Sequence, residues 1–218
     1  MTSSDISKWR PQKVDELIRS DHSWLDENDE CYFWGEYTAY EGYGYSSTNG
    51  LITNFKKPMD RRGRAEWRYK EQAIEQVARL LRPIATSCVG TSLALIPVPP
   101  SKARTDPLYD DRLVQALTIA ARGLDVELRD CVVQDVSTAA VHADDVRPRP
   151  EELVQRYHLD ESVDQRPLAG AVIFDDVLTT GCHFKAVKQL ILSRFPGINV
   201  YGFFVARRAI TRPDVLDL

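Results

Sequence analysis

A parallel α/β sheet covered by helices is the fold class that this sequence predicts, and three observations carry it. Short apolar runs recur through the second half of the chain, in "TSLALIPV" (91–98), "AGAVIFD" (169–175) and "INVYGFFVA" (198–206). These runs are nearly continuous rather than alternating, as strands buried on both faces are. Between them lie stretches with helical spacing, which is the order of βαβ units.

The elements follow in chain order. "PQKVDELIR" (11–19) predicts a short helix with Pro11 near its start. The aromatic segment after it predicts strands at 31–39 and 51–55, joined by a turn at "STNG", where Asn49-Gly50 is a hairpin signal. Residues 65–82 place Trp67, Ile74, Val77, Ala78 and Leu81 near one helical stripe. Residues 1–90 are therefore expected to form an aromatic-rich N-terminal extension, or hood, of helix, β-hairpin and helix. The core is expected to occupy 91–218. There the strand at 91–98 leads to a helix at "RLVQALTIAAR" (112–122), with Gly123 as its C′ residue. "VELRDCVVQ" (126–134) predicts another strand, and a polar stretch at 135–167 precedes the strand at 169–175. "CHFKAVKQLILSR" (182–194) predicts a helix before the last strand.

Composition narrows the function. The 218 residues are 43% hydrophobic and 28% charged, which suits a globular domain with a real core. A net charge of −4 disfavours a general binder of nucleic acid or anionic membranes. The opening residues lack the apolar core of a secretion signal, and no apolar run is long enough to span a bilayer. Cys31, Cys88, Cys131 and Cys182 are scattered, without zinc-ligand spacing. A cytoplasmic protein with reduced thiols and no membrane association is expected. One local exception to the acidic balance is "KKPMDRRGRAEWRYK" (56–70), with seven basic and two acidic side chains. Lys56, Lys57, Arg61, Arg62 and Arg64 read either as a solvated face or as an anion patch for nucleic acid.

The chemistry concentrates in "AVIFDDVLTTGCHF" (171–184). An apolar strand delivers Asp175 and Asp176 to its carboxyl end, where ligands of parallel sheets bind. "VLTTG" then leads into a helix whose first N–H groups lack intrahelical partners. Amides, two hydroxyls and a helix dipole favour a phosphate, and Gly181 permits close approach. A sugar phosphate satisfies both halves of the stretch, offering hydroxyls to the acids and an anion to the loop. A capped helix start is the plainer alternative, but it needs one such residue rather than two acids and two threonines.

"VIFDDVLTTG" resembles the phosphoribosyl-pyrophosphate (PRPP) signature of type I phosphoribosyltransferases. The resemblance implies that Asp175 and Asp176 hold the ribose hydroxyls and are the catalytic acids. It also implies that Val177, Leu178, Thr179, Thr180 and Gly181 wrap the 5′-phosphate, with Cys182 and His183 at the helix start. Family members usually continue with a small residue and then Thr or Ser, where this chain has Cys182 and His183. Upstream, "LIPVPPSKARTDPLYDDRL" (95–113) resembles the first-strand region of competence-associated phosphoribosyltransferase-like proteins. That implies a pyrophosphate loop around Pro99, Pro100, Ser101 and Lys102; Lys102 and Arg104 offer it positive charge and Ser101 a donor, and Tyr109, Asp111 and Arg112 are placed to close over the same site.

The implied reaction is Mg2+-dependent transfer of phosphoribose from PRPP or a related nucleotide to an acceptor that the sequence does not identify, a nucleobase being one candidate. The metal would be held through substrate phosphates, with Asp175 and Asp176 reaching it through water. Residues 136–157 are the candidate flap, where His142, Arg147 and Arg149 could approach the diphosphate; the Asp144-Asp145 pair and the prolines favour a solvated connection instead. Phe33, Trp34, Tyr37 and Tyr43 are candidates to stack on the acceptor. The alternative is a non-catalytic protein on the same fold that senses PRPP or handles DNA. A homo-oligomer is compatible with either.

Overall fold

Strand β7 (Gly170–Leu178) lies near the middle of a six-stranded sheet of order β1-β2-β8-β7-β3-β4. The computed structural model describes residues 8–138, 148–163 and 166–210. Its other sheet strands are β1 (Gln12–Lys13), β2 (Glu30–Thr38), β3 (Leu93–Pro97), β4 (Glu127–Leu128) and β8 (Asn199–Ala209). All pairings are parallel except β1 with β2. Phe174 stands opposite both Pro97 on β3 and Phe203 on β8, which fixes the level of the acids that follow.

The helices divide by the direction of each crossover. From β2 to β3 the chain moves one way along the sheet through α2 (Ser47–Phe55) and α3 (Arg68–Ser87), and from β3 to β4 it continues the same way through α4 (Arg112–Ala121). It then reverses, reaching β7 by way of α5 (Pro150–Arg156) and β8 by way of α6 (Cys182–Arg194). Right-handed crossovers running in opposite directions must put their helices on opposite faces. They do. One core packs Leu51, Phe55, Val77, Leu81 and Leu117 against Leu95, Val172 and Phe174. The other packs Leu153, Tyr157, Phe184, Val187 and Ile191 against Ile96, Ala171 and Ile173. β7 is buried on both faces, which is why its sequence is apolar without alternation.

Several expectations change. Residues 51–55 are not a strand, and Asn49-Gly50 is not a hairpin turn. Ser46 caps α2 by accepting from the Asn49 amide, and Asn49 itself is buried inside the helix. Its side chain accepts from Thr38 N–H and donates to the Thr38 and Glu41 carbonyls, closing the loop after β2. β2 therefore has no hairpin mate; its neighbours are β1 and, in parallel, β8. The aromatic strand thus belongs to the same sheet as the strands beyond residue 91. The helix expected at 11–19 shrinks to α1 (Glu16–Arg19), capped by Asp15, because residues 12 and 13 pair with β2. The strand expected over 126–134 breaks at Arg129: β4 joins the main sheet, whereas β5 (Val132–Gln134) pairs with β6 (Tyr157–Leu159) in a two-stranded sheet. Helix α3 runs through Pro83 to Ser87, beyond the expected end. Helices α4 and α6 follow the expected spans, and Gly123 takes the left-handed conformation after α4. Among the described residues, no helix is long and apolar enough to cross a membrane.

Candidate functional site

Because β3 leads to one side and β7 to the other, the sheet has a switch point between them, and a crevice opens at their carboxyl ends. A shallow cleft, open to solvent, lies there between Val98–Pro100, Asp110–Val114, Asp130 and Asp175. The expected pyrophosphate segment and one of the expected acids thus come together.

The two acids have different surroundings. Asp176 is buried and pairs with Lys56 at 2.8 Å and with Arg112. Burial opposes its charge, yet Lys56 and Arg112 outweigh that penalty and hold the carboxyl well below the usual range. Arg112 also bonds Asp110 at 2.7 Å, and its guanidinium lies 5.6 Å from the Phe55 ring centre. Asp110 in turn accepts from Lys70 at 2.8 Å, whose fully buried ammonium also donates to the Phe55 and Lys57 carbonyls. These contacts fasten α2, α3 and the start of α4 to the end of β7. Asp175 is half-buried and lines the cleft, with one oxygen accepting from the Asp176 amide at 2.7 Å. Burial and the neighbouring Asp176 charge push its carboxyl up.

The loop that follows β7 turns through Gly181 into α6. Gly181 has φ of 86°, a left-handed value that favours glycine, and starts α6 without any side-chain cap. The Thr180 hydroxyl is buried with no hydrogen-bond partner among the described residues. His183, in the first turn of α6, shares a hydrogen bond of 2.7 Å between its Nδ1 and the Tyr157 hydroxyl. Burial and then the Asp175 charge raise Tyr157 far above the usual phenol range, so it stays protonated. Cys182 is buried beside them.

The segment after β3 is less cationic than the sequence implied. Arg104 is engaged by Asp130 and Asp160, each at 2.8 Å, and so is committed within the protein. Arg112 is likewise spent on Asp110 and Asp176. Lys102 acts electrostatically on Asp106 but forms no ion pair among the described residues. Ser101 is exposed, and its carbonyl accepts from the Thr138 amide. Pro100 is braced by Gln134. In the expected flap, His142 and Arg147 lie outside the described residues, while Arg149 precedes α5. Of the basic stretch, Lys56 belongs to the Asp176 cluster rather than to a free patch, whereas Arg61, Arg62 and Arg64 are exposed. Trp34 and Phe33 are buried in the two cores; Tyr43 is exposed.

Sequence reasoning missed Asp110, Asp130, Lys70, Tyr157 and His22 as neighbours of the site. The run "YDDR" (109–112) gave a signal for the first; the others carry none, since long-range folding alone brings them in. Among the described residues no group of three or more His, Cys, Asp or Glu is arranged to hold a metal.

No protein-family model matches the chain, and no curated protein matches it. Among solved structures, a hypoxanthine phosphoribosyltransferase from Staphylococcus aureus is similar with a TM-score of 0.38 and 12% identity, over 66% of this chain and 71% of that one.

Proposed function

We propose that the chain binds PRPP or a closely related sugar phosphate in the crevice between β3 and β7, as a type I phosphoribosyltransferase-like protein. The observation that carries the reading is the placement of Asp175 and the Thr179–Gly181 loop on one strand end at the switch point, with the Thr180 hydroxyl unmet among the described residues. In this role Asp175 accepts from the ribose hydroxyls. Thr180, the loop amides and the start of α6 take the 5′-phosphate. His183, held by Tyr157, adds a donor where a Thr or Ser hydroxyl usually stands. Asp176 acts differently from its neighbour: with Lys56 and Arg112 on its oxygens, it anchors the strand end to the helices.

Mg2+ would be held through the ligand's own phosphates and Asp175, which lines the cleft with Lys56 and Arg112 acting on it only through space. The metal would screen the diphosphate as it leaves. The chain's own contribution to glycosyl transfer would be to orient the ring and exclude water, with Lys102 beside the diphosphate.

A second reading, binding without turnover, is favoured by one specific feature. The cleft is lined by Asp110, Asp111, Asp130 and Asp175, while its nearby arginines are already paired. That charge suits a departing diphosphate poorly. Calorimetry with PRPP and Mg2+, followed by pyrophosphate release with a panel of nucleobases, separates the two. Binding with release supports an enzyme; binding without release for any base supports the sensor; no binding rejects both. Retarded DNA migration that weakens with salt would instead support a nucleic-acid role for Arg61, Arg62 and Arg64.

A further inference from the structure

The segment 21–29 crosses the back of the loop after β7, and two of its hydrogen bonds capture that loop's carbonyls. His22 is fully buried and its Nδ1 bonds the Thr179 carbonyl. Because a carbonyl only accepts, the imidazole there carries its proton on Nδ1. Two residues on, the Trp24 amide donates to the Thr180 carbonyl at 2.9 Å. Leu25 then backs Gly181 so closely that a Cβ added to the glycine would sit 2.8 Å from Leu25 Cδ2. Behind these contacts the segment is bolted to α6. Asp26 and Asp29 bind Lys185 at 2.6 and 2.8 Å, and Asp29, with its side chain wholly buried, also binds Lys188 at 2.6 Å.

A trans peptide is planar, so its C=O and the following N–H point in opposite directions. Capturing the Thr179 carbonyl therefore turns the Thr180 N–H away from the strap, and capturing the Thr180 carbonyl does the same for the Gly181 N–H. Neither N–H is taken up by an acceptor among the described residues. Successive amides aimed one way around a left-handed glycine form an anion-binding concavity. We propose that His22 is a positioning residue for phosphate: through the Thr179 carbonyl it holds the Thr180 and Gly181 amides aimed at a phosphate monoester. The inference rests on the sugar-phosphate reading of the loop and assigns the strap its part in it. Burial pulls the His22 imidazole toward its neutral form against the Thr179 bond, so this donor does not need a charge to act.

The test uses the full chain and ribose 5-phosphate as probe, with affinity by calorimetry and stability by thermal melting. Wild type is expected to bind. His22→Leu, which fills the space but cannot donate, is expected to lose affinity at least tenfold at a temperature well below its melting point. His22→Gln, whose amide can donate to the same carbonyl, is expected to recover most of that loss. A merely structural role would shift both melting points without separating the two affinities. If His22→Leu does not fold, Leu25→Ala carries the test, and a several-fold weakening is expected. Wild-type affinity in a folded His22→Leu, or in Leu25→Ala where that variant carries the test, overturns the strap inference alone. Failure of wild type to bind ribose 5-phosphate overturns both this inference and the reading beneath it.

Discussion

The neighbouring acids Asp175 and Asp176 differ by one position but should respond oppositely to the same substitution. In Asp176→Asn the buried carboxylate loses its charge while Arg112, only 17% exposed, keeps its own. Breaking one side of a buried ion pair costs about 3–5 kcal/mol. Two features place this case at the low end. Arg112 retains Asp110 at 2.7 Å, and the Lys56 side chain is 44% exposed and can rehydrate. A loss of about 3 kcal/mol is expected, and with a urea m-value of about 2–3 kcal/mol/M the midpoint should fall by about 1 M. Asp175→Asn removes a charge that burial and Asp176 already disfavour, so its midpoint at neutral pH should stay or rise. The pH dependence has a definite sign. The carboxyl of Asp176 is depressed in the folded state, so its stabilisation is whole above the unfolded carboxylate pKa of about 4 and is lost as pH falls through the lower folded value. Asp176→Asn should remove that acid-side slope. Equal losses for the two variants, or a loss under about 1 kcal/mol for Asp176→Asn, would refute the division of labour.

Other expectations follow from single contacts. Gly181→Ala forces a left-handed alanine, costing about 1–2 kcal/mol, against Leu25; melting should fall by several degrees, and adding Leu25→Ala should restore part of it. Lys70→Met strands the Phe55 and Lys57 carbonyls and half of Asp110's pairing, so chemical denaturation should show a loss of about 3 kcal/mol. Arg104→Gln should leave PRPP affinity within about threefold by calorimetry, since half-exposed pairs of this kind are worth about 1 kcal/mol or less and the guanidinium is already committed. A tenfold loss there would return Arg104 to the diphosphate site.

What the sequence revealed, and what it did not, follows from the range of the interactions. Strands β3, β7 and β8 and helices α4 and α6 were legible because burial on both faces and helical amphipathicity are written locally. The loop after β7 was legible for the same reason, as a contiguous string of acids, hydroxyls and glycine. The first half misled at Asn49-Gly50, where a strong local turn signal yields to a Ser46 cap and to a buried Asn49 tied back to Thr38. Strand β2 was visible as a strand, but its partner is β8, more than 160 residues away by the Glu30–Tyr201 register, and no local pattern names it. Arg104, Arg112 and Lys56 read as free cations because their carboxylate partners arrive from elsewhere in the chain. His22 gave no signal at all; only the fold brings it beneath Thr179.

Titrating 15N-labelled protein with PRPP and Mg2+, and following each amide, bears most directly on where the ligand sits. Saturable shifts at Thr179–Phe184 and at Ser101–Ala103, with little change around Arg61–Arg64, are the expected result. Saturation with those amides unmoved, or shifts confined to the basic stretch, would contradict a sugar-phosphate site at the β3–β7 crevice.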